Sequence, residues 1–282
     1  MAQPALGLQI RQLEQDLGVD LLVRHSRGVL PTEAGALLHE RALSILRQIE
    51  ATRTDVQALG QSTRETLTLG LSPSLMLQIG PDLLLDAREQ MPNVFLSLVE
   101  ELSFILVETL ERGELDITFA YEAAERVGLE RRPILEEELL FVTAPAQKTA
   151  VGPITFTEAL SFDLVLPGPR DLIRRLVQAE ADRQGLSLRV PFEAQSISAM
   201  KAMAARGAAA SIMPYGTAID ELRKGTLVSR RIERPAIKRS LYLLRSLKRP
   251  GFRHQAEIDR FLERAQERLF ASLGDLATPF PG

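Results

Sequence analysis

The first seventeen residues carry apolar side chains at intervals of three and four positions, which predicts an amphipathic helix that ends before Gly18. The stripe on one face of this helix comprises Leu6, Ile10, Leu13 and Leu17. Two short β-prone runs follow, at residues 21–23 and 29–30, on either side of a basic tip that contains Gly28. A helix followed by a basic hairpin is typical of a winged helix.

A second helical pattern begins after Thr32, a suitable N-cap, and continues to about Gly60 without a proline. Its apolar positions alternate spacings of four and three, which is the heptad pattern of helices that pair side by side. This seam comprises Leu38, Ala42, Ile45, Ile49, Thr52, Val56 and Leu59. Because the other faces are rich in Arg, Glu, Gln and Thr, we interpret the segment as a dimerisation helix rather than a core helix.

The rest of the chain alternates strand and helix patterns twice, which predicts two similar lobes with parallel sheets. In the first lobe the strands are at 67–72, 94–99 and 115–120, and the helices at 75–90 and 103–113. In the second lobe the strands are at 162–166, 188–192 and 209–213, and the helices at 171–184 and 198–206. Extended segments at 138–143 and 239–244 link the lobes, and a last helix covers 254–273. Two crossings between similar lobes are typical of a hinged protein that closes on a small ligand.

Hydroxyl side chains cluster where the strands of both lobes end and the helices begin, the position at which open α/β sheets bind ligands. The candidate effector-binding residues are Ser72, Ser74, Ser103, Arg170, Ser196 and Ser198. Serine is also a common helix cap and a single arginine is usually solvated. Each residue alone is therefore better explained as a cap or a solvated side chain than as a ligand contact. As a set on two lobes they predict a pocket for a small carboxylate or similar anion.

Composition narrows the choice of function. The 282 residues include 45% hydrophobic and 25% charged residues, a net charge of −3 and no Cys. This composition excludes thiolate chemistry and a general basic field for nucleic acid. The N-terminus lacks a charged, apolar export signal, so we expect a cytoplasmic protein that does not contact membranes. The three His residues are scattered, and the acidic runs 136–138 and 100–101 are interpreted as solvated surface, so we predict no metal, no cofactor and no enzyme activity.

The run AQPALGLQIRQLEQDLGVDLLVRHSRGVLPTEAG resembles the start of the LysR-type transcription regulators. Further along, RGELDITFAY and SISAMKAMAARGAAASIMP resemble the effector-binding domain of that family. The resemblance implies an α/β fold with a partial winged helix-turn-helix, a long dimerisation helix and two Rossmann-like lobes of the type 2 periplasmic-binding-protein architecture. The implied domains are 1–31 for DNA binding, 32–62 for dimerisation and 63–282 for the effector, with lobe I at 63–138 and 240–275 and lobe II at 139–239.

The resemblance also implies roles for particular residues. The family's reading helix begins near Gln3 and Pro4, so Gln3 is expected to meet a base edge, and the basic residues are expected to contact phosphates. The candidate DNA-binding residues are Gln3, Pro4, Arg11, Arg24 and Arg27. Gly7 and Pro31 depart from the family pattern, and the first two helices of the family motif would precede Ala2.

The implied partners are promoter DNA, a small-molecule effector and further copies of the chain, as a dimer or as a tetramer built from two dimers. One alternative within the family is a shortened member that binds effector and oligomerises without holding DNA. A bilobed solute-binding protein and an enzyme on the same fold are the alternatives from other classes. The missing export signal and the heptad helix count against the first of these, and no motif in the sequence supports the second.

Overall fold

The structure is a computed structural model that describes residues 3–25, 28–60, 64–147, 152–247 and 251–280. The chain forms two compact units, Met1–Thr63 and Arg64–Gly282. The elements of the first unit are α1 (Gln3–Leu17), β1 (Leu22–His25), β2 (Gly28–Pro31) and α2 (Glu33–Gly60). β1 and β2 pair antiparallel. The predicted helix, hairpin and long second helix are therefore confirmed.

Polar contacts of two side chains hold the first helix, the hairpin and the second helix together. Glu14 Oε1 accepts hydrogen bonds from the backbone N–H groups of Leu21 and Leu22, at 2.8 and 3.1 Å. Thr32 Oγ1 donates to the Asp20 carbonyl at 2.7 Å and accepts from the Gly35 N–H at 2.9 Å. Thr32 thus caps α2 as predicted, because its oxygen satisfies an N–H that has no partner inside the helix.

The first lobe of the second unit begins with an alternation of strands and helices. Its elements are β3 (Glu65–Leu71), α3 (Pro73–Gln90), β4 (Val94–Glu100), α4 (Ser103–Glu111) and β5 (Ile117–Tyr121). β3 pairs parallel with both β4 and β5, so the predicted parallel order is confirmed. The apolar side chains of these strands pack against α3 and the C-terminal helix α9 (Gln255–Leu273) in one core.

A long strand, β6 (Leu129–Thr143), leaves this lobe and runs into the second one. The following elements are β7 (Ile154–Thr155), α5 (Phe156–Ala159), β8 (Val165–Leu166), α6 (Leu172–Arg183), β9 (Phe192–Glu193), α7 (Ile197–Ala205), β10 (Ser211–Pro214), α8 (Tyr215–Lys224) and β11 (Val228–Glu233). β12 (Lys238–Ser246) then returns to the first lobe, and β13 (Ala277–Pro279) follows α9. β8 lies parallel to β9, and Leu164, directly before β8, forms a parallel bridge with Ala210, so the second lobe repeats the β-α-β-α-β order of the first.

The two parts of β6 pair with different strands. Its first part, to Glu138, pairs antiparallel with β12, and its last part, from Leu139, pairs with β10 and β11. The strand predicted at 138–143 is therefore only the end of a fifteen-residue strand. The point at which β6 exchanges partners lies between the two lobes, directly beside Glu137.

Two strands predicted for the second lobe are shorter than expected and a third was not predicted. The strand expected at 162–166 is reduced to Val165–Leu166. The strand expected at 188–192 is reduced to Phe192–Glu193, because its partner β8 has only two residues and Pro191 has no N–H to donate. The strand β11 was not predicted, since its sequence Val-Ser-Arg-Arg-Ile-Glu has few apolar residues. Its burial pattern shows one buried side chain, Ile232, so the apolar signal is weak.

Candidate functional site

A cavity of about 220 Å³ lies where the strands of both lobes end, and residues of the two lobes line it. Five helices begin at its wall. The lining residues at their N-termini are Ser72, Pro73 and Ser74 of α3, Leu102, Ser103 and Phe104 of α4, Asp171, Leu172 and Ile173 of α6, Ile197 of α7, and Pro214 and Thr217 of α8. Because the N-terminal end of a helix carries a partial positive charge, this arrangement favours a negatively charged group in the cavity.

The deepest polar feature of the wall is a buried ion pair between Arg239 and Glu137. Arg239 Nε and Nη2 donate to the same carboxylate oxygen, Glu137 Oε2, at 2.9 and 2.7 Å. Nη2 also donates to Ser74 Oγ at 2.9 Å. Arg239 is 5% exposed and Glu137 is fully buried. The remaining nitrogen, Arg239 Nη1, makes no hydrogen bond with any residue that the structure describes, so a donor of this cavity-lining side chain is left for a ligand.

Tyr121 holds this pair in place. Its hydroxyl donates to Glu137 Oε2 at 2.7 Å, and the Arg239 Cζ lies 3.5 Å from the centroid of its ring. Burial raises the pKa of the Tyr121 phenol well above its ordinary value, against the opposing charge of Arg239. The phenol therefore keeps its proton and remains a donor. Ser103 Oγ accepts from the Tyr121 N–H at 3.0 Å and so ties the end of β5 to the start of α4.

Three of the five helix N-termini have no side-chain cap. Ser72, Leu102 and Pro214 occupy the N-cap positions of α3, α4 and α8, and none of them makes a side-chain cap hydrogen bond. In contrast, Asp171 and Ser196 cap α6 and α7. N–H groups in the first turn of an uncapped helix need a partner from water or a ligand. The three uncapped ends are thus available as hydrogen-bond donors at the cavity.

Asp171 is an acidic residue that lines the cavity at the start of α6. Its Oδ1 accepts from the Ile173 N–H at 2.8 Å. Burial raises the pKa of the Asp171 carboxyl, against this hydrogen bond and the charges of Arg239 and Arg175. The carboxyl therefore takes up a proton more readily than an exposed one, and an anion bound nearby would strengthen this tendency.

The rest of the lining is mostly apolar. The large apolar side chains at the cavity include Leu102, Phe104, Val107, Ile197, Met200 and Met213. A cavity with a few polar groups at one end and apolar walls is typical of sites for small organic molecules. Its volume of about 220 Å³ limits the ligand to a small one.

The structure brings together half of the predicted effector-binding residues. Ser72, Ser74 and Ser103 line the cavity. The other three, Arg170, Ser196 and Ser198, are exposed and lie outside its lining. Ser196 accepts the Ala199 N–H at 3.3 Å, the helix-cap role weighed against ligand binding. Arg170 lies over the ring of Phe104, with Cζ 5.2 Å from the centroid.

One prediction about acidic residues was wrong. The run 136–138 is not solvated surface, because its middle member, Glu137, is fully buried. Alternation along β6 turns Glu137 to the interior, while Glu136 and Glu138 pair on the other face with Lys238 and Arg231, both at 2.7 Å. Sequence reasoning also missed Arg239, which directly follows Lys238 at the start of β12. The signal was present in both cases as a charged residue at an alternate position of a strand.

The predicted DNA-binding and dimerisation residues lie in the first unit. Gln3, Pro4 and Arg11 belong to α1 and Arg24 to β1, but Arg27 and the side chains of Gln3, Pro4 and Arg24 lie outside the described residues. Arg11 is exposed. Of the seam on α2, Leu38 and Ala42 are half-buried and Ile45 and Ile49 are exposed. The side chains of Val56 and Leu59 lie outside the described residues.

Comparison with known families decides the identity of the chain. Residues 60–269 match the LysR substrate binding domain, and residues 1–36 match the bacterial regulatory helix-turn-helix protein of the lysR family. The chain belongs to the LysR family of transcriptional regulators. It is therefore a LysR-type regulator, and the family resemblance that the sequence indicates is confirmed.

Relatives with described roles support this assignment. The LysR-type regulator is 32% identical over 247 residues to the nitrogen assimilation regulatory protein nac of Klebsiella aerogenes, a match that covers 86% of this chain and 79% of that protein. It is 28% identical to the transcriptional regulator CatR of Pseudomonas putida, covering 76% and 74% of the two chains. These relatives are transcription regulators, a class that is not enzymatic.

Solved structures share the fold. The structure of full-length CbnR in complex with its target DNA has a TM-score of 0.69 at 22% identity, and the match covers 95% of this chain and 91% of that chain. An OxyR of Corynebacterium glutamicum bound to hydrogen peroxide has a TM-score of 0.64 at 21% identity, covering 97% and 86%. Among the described helices of the LysR-type regulator, none has the length and apolar content of a membrane span.

Proposed function

We propose that this LysR-type regulator responds to a small organic anion whose charged group binds at Arg239 and whose apolar body faces Phe104 and Met200. The observation that carries the proposal is the free Nη1 of the buried Arg239 in a cavity where α3, α4 and α8 begin without side-chain caps. Oriented N–H groups stabilise an anion without any need for reorganisation. The apolar walls supply contact area for the remainder of the molecule.

The position of the cavity supports a role in switching. Glu137 lies at the end of the part of β6 that pairs with β12, and Leu139 starts the part that pairs with β10. A ligand that contacts α3 and α4 on one side and α6 and α8 on the other has different contacts whenever the lobes move. Such a ligand shifts the equilibrium between lobe arrangements by its difference in affinity for them. We propose that this shift alters the affinity of the regulator for DNA and that the effector is not chemically changed.

Thermal unfolding with matched ligand series tests the proposed anion site. Benzoate, benzamide and benzylamine share a ring and differ in charge, as do hexanoate, hexanamide and hexylamine. We expect the carboxylates to raise the unfolding temperature, because a ligand at 100 times its Kd adds about 2.7 kcal/mol to the stability of the folded state. A larger shift with the amines or the neutral amides than with the carboxylates would contradict the proposal.

Asp171 provides a prediction about pH. Binding of an anion near this carboxyl favours its protonated form, so affinity is highest at acid pH and falls as the pH rises through the pKa of Asp171, which burial raises. Asp171→Asn keeps the cap of α6, since Asn is an equally good N-cap, and removes the charge. We expect several-fold tighter carboxylate binding at pH 7 and a flatter pH profile, measured by calorimetry from neutral pH down to the pH at which the ligand itself begins to take up a proton. A variant that retains the full wild-type pH dependence would remove Asp171 from this role.

We propose that α2 carries the dimer contact along its predicted seam. The helix has 28 residues, and Ile45 and Ile49 on the seam are each 56% exposed within one chain. Exposed isoleucines in a heptad pattern lose contact with water when a second helix packs on them. Tetramers would require a second contact, for which the seam alone is not sufficient.

Substitution of one seam residue tests this contact. Ile45→Ser is expected to weaken dimerisation by at least about tenfold, because in both copies the hydroxyl replaces an apolar side chain whose burial contributes roughly 1.5–3 kcal/mol. Sedimentation equilibrium measures the dissociation constant. The control is Glu40→Gln, an exposed position on the same helix that lies off the seam. Equal dimer stability in both variants would place the contact elsewhere.

For DNA, we propose that Gln3 meets a base edge from the start of α1, next to Pro4, and that Arg11, Arg24 and Arg27 contact phosphates. The exposed position of Arg11 supports this division, because phosphate contacts position a reading helix in the groove. A regulator of transcription acts where the chromosome lies, which supports a cytoplasmic location.

A further inference from the structure

Positively and negatively charged side chains balance one another around the cavity. Three arginines and two carboxylates line it, namely Arg126, Arg175 and Arg239 with Glu122 and Asp171. Glu137, directly behind Arg239, adds a third carboxylate, and Glu111, which pairs with Arg126 at 2.7 Å, adds a fourth, so the carboxylates at least match the arginines. The positive potential that remains comes from the helix N-termini, each worth roughly half a charge at its first turn.

Glu137 is the residue that sets this balance. It faces Arg239 directly across β6 and β12, since the two residues are register partners in the ladder. All three of its hydrogen bonds fall on Oε2, from Tyr121 and from two nitrogens of Arg239. Its other oxygen, Oε1, is buried without a hydrogen-bond partner among the described residues. Glu137 is not among the residues that line the cavity, so we expect its carboxylate to act on a ligand through the guanidinium.

We propose that Glu137 is a positioning residue that restricts the effector to a single negative charge. The inference rests on the proposed anion site and concerns which anions that site accepts. Glu137 engages the Nε and Nη2 edge of Arg239 and offsets its charge, so the ligand meets one free nitrogen and the partial charges of the helix ends. The free nitrogen and the helix ends together balance one carboxylate of the ligand. A second carboxylate in the same small cavity would find no excess of arginine over carboxylate to balance it, and a buried charge that lacks such a balance is strongly disfavoured.

Ligand pairs of equal size test charge selectivity separately from fit. Glutaramate and glutarate differ only in the replacement of one carboxylate by a carboxamide, and 4-carbamoylbenzoate and terephthalate differ in the same way. We expect the wild-type protein to bind each monoanion at least about tenfold more tightly than its dianion, a difference of about 1.4 kcal/mol. The Kd values are measured by calorimetry and thermal unfolding.

A double-mutant cycle assigns the selectivity to the ion pair. Glu137→Gln leaves a net positive pair, and the ratio of the dianion Kd to the monoanion Kd should fall to about one or below. Arg239→Gln leaves a net negative pair, and both ligands should bind more weakly with a larger preference for the monoanion. In the double variant both residues are uncharged, so the pair has no net charge, like the wild-type pair. The ratio of the dianion Kd to the monoanion Kd should therefore stay near the wild-type value. A purely structural role of Glu137 would weaken both ligands equally and leave the ratio unchanged.

A second measurement uses only the wild-type protein and so does not depend on the folding of variants. A dianion that must bind with one charge takes up a proton, whereas its monoamide does not. Calorimetry in buffers of different ionisation enthalpy should show about one more proton taken up with glutarate than with glutaramate, and any contribution from Asp171 cancels in this difference.

The outcomes separate the two proposals. If the monocarboxylates bind but the ratio is the same in all four proteins and no extra proton is taken up, the role of Glu137 is overturned and the anion site stands. If no carboxylate shifts the unfolding of the wild-type protein or of any variant, the anion site fails and this inference fails with it.

Discussion

Replacement of Arg239 by Gln is expected to lower the free energy of unfolding by about 3–5 kcal/mol, the typical effect of removing one partner from a buried ion pair. The reason is the environment of Glu137, which is fully buried and receives two of its three hydrogen bonds from Arg239. In the variant this carboxylate retains only the Tyr121 hydroxyl. Denaturation with urea, followed by circular dichroism, measures the loss.

The same variant should weaken carboxylate binding by roughly tenfold to a hundredfold, since a hydrogen bond to a charged group contributes about 1.5–3 kcal/mol. The control is Arg268→Gln, which removes an arginine that bridges Asp82 and Asp86 at the surface, at 2.9 and 2.6 Å. Arg268 is 40% exposed, so we expect less than about 1 kcal/mol of destabilisation and unchanged binding. If Arg239→Gln and Arg268→Gln lose equal amounts of stability and affinity, the Arg239–Glu137 pair makes no specific contribution to the site.

Addition of a methyl group at Gly216 is expected to disturb the cavity from the side of α8. A Cβ at this position would lie 2.7 Å from the Ser74 carbonyl oxygen and 2.5 Å from Gln78 Oε1, so α8 would have to move away from α3. Ser74 and Thr217, on these two helices, both line the cavity. Gly216→Ala should therefore cost about 1–3 kcal/mol of stability and weaken carboxylate binding by about tenfold.

Gly80→Ala, within α3, is the matched control for Gly216→Ala. Its Cβ would approach the end of the Met76 side chain, with Sδ at 2.6 Å, and a thioether can rotate away where a backbone carbonyl cannot. We expect wild-type binding and a stability change within about 1 kcal/mol, because Ala favours the helix over Gly by a similar amount. Wild-type affinity in Gly216→Ala would show that the spacing of α3 and α8 does not control the site.

Much of the architecture was predictable because the relevant signals are local. The spacings of three and four in α1 and α2, the basic tip of the hairpin and the repeated strand and helix patterns each arise within a short stretch of chain. The weakest predictions fell on short or polar strands. β9 and β11 depend on neighbours far away in the sequence, so their own residues carry little signal.

The candidate site was predictable only where it follows a general rule of α/β sheets. Ser72, Ser74 and Ser103 lie at strand ends and helix starts, the positions at which such sheets bind ligands, and they line the cavity. The same rule placed Ser196 and Ser198 in the site, but their helix α7 contributes other residues, among them Ile197 and Met200. A helix start identifies a wall of the cavity without specifying which side chains point inwards.

The sequence by itself determined most of the order of elements, the family motifs and the small polar residues at the strand ends, since all of these depend on residues close together in the chain. Only the tertiary structure decided the charge of the site. Glu137 and Arg239 are 102 residues apart, and each stands among other charged residues that remain near the surface. Their pairing depends on the register of β6 against β12, which buries one member of each run and turns its neighbours outwards.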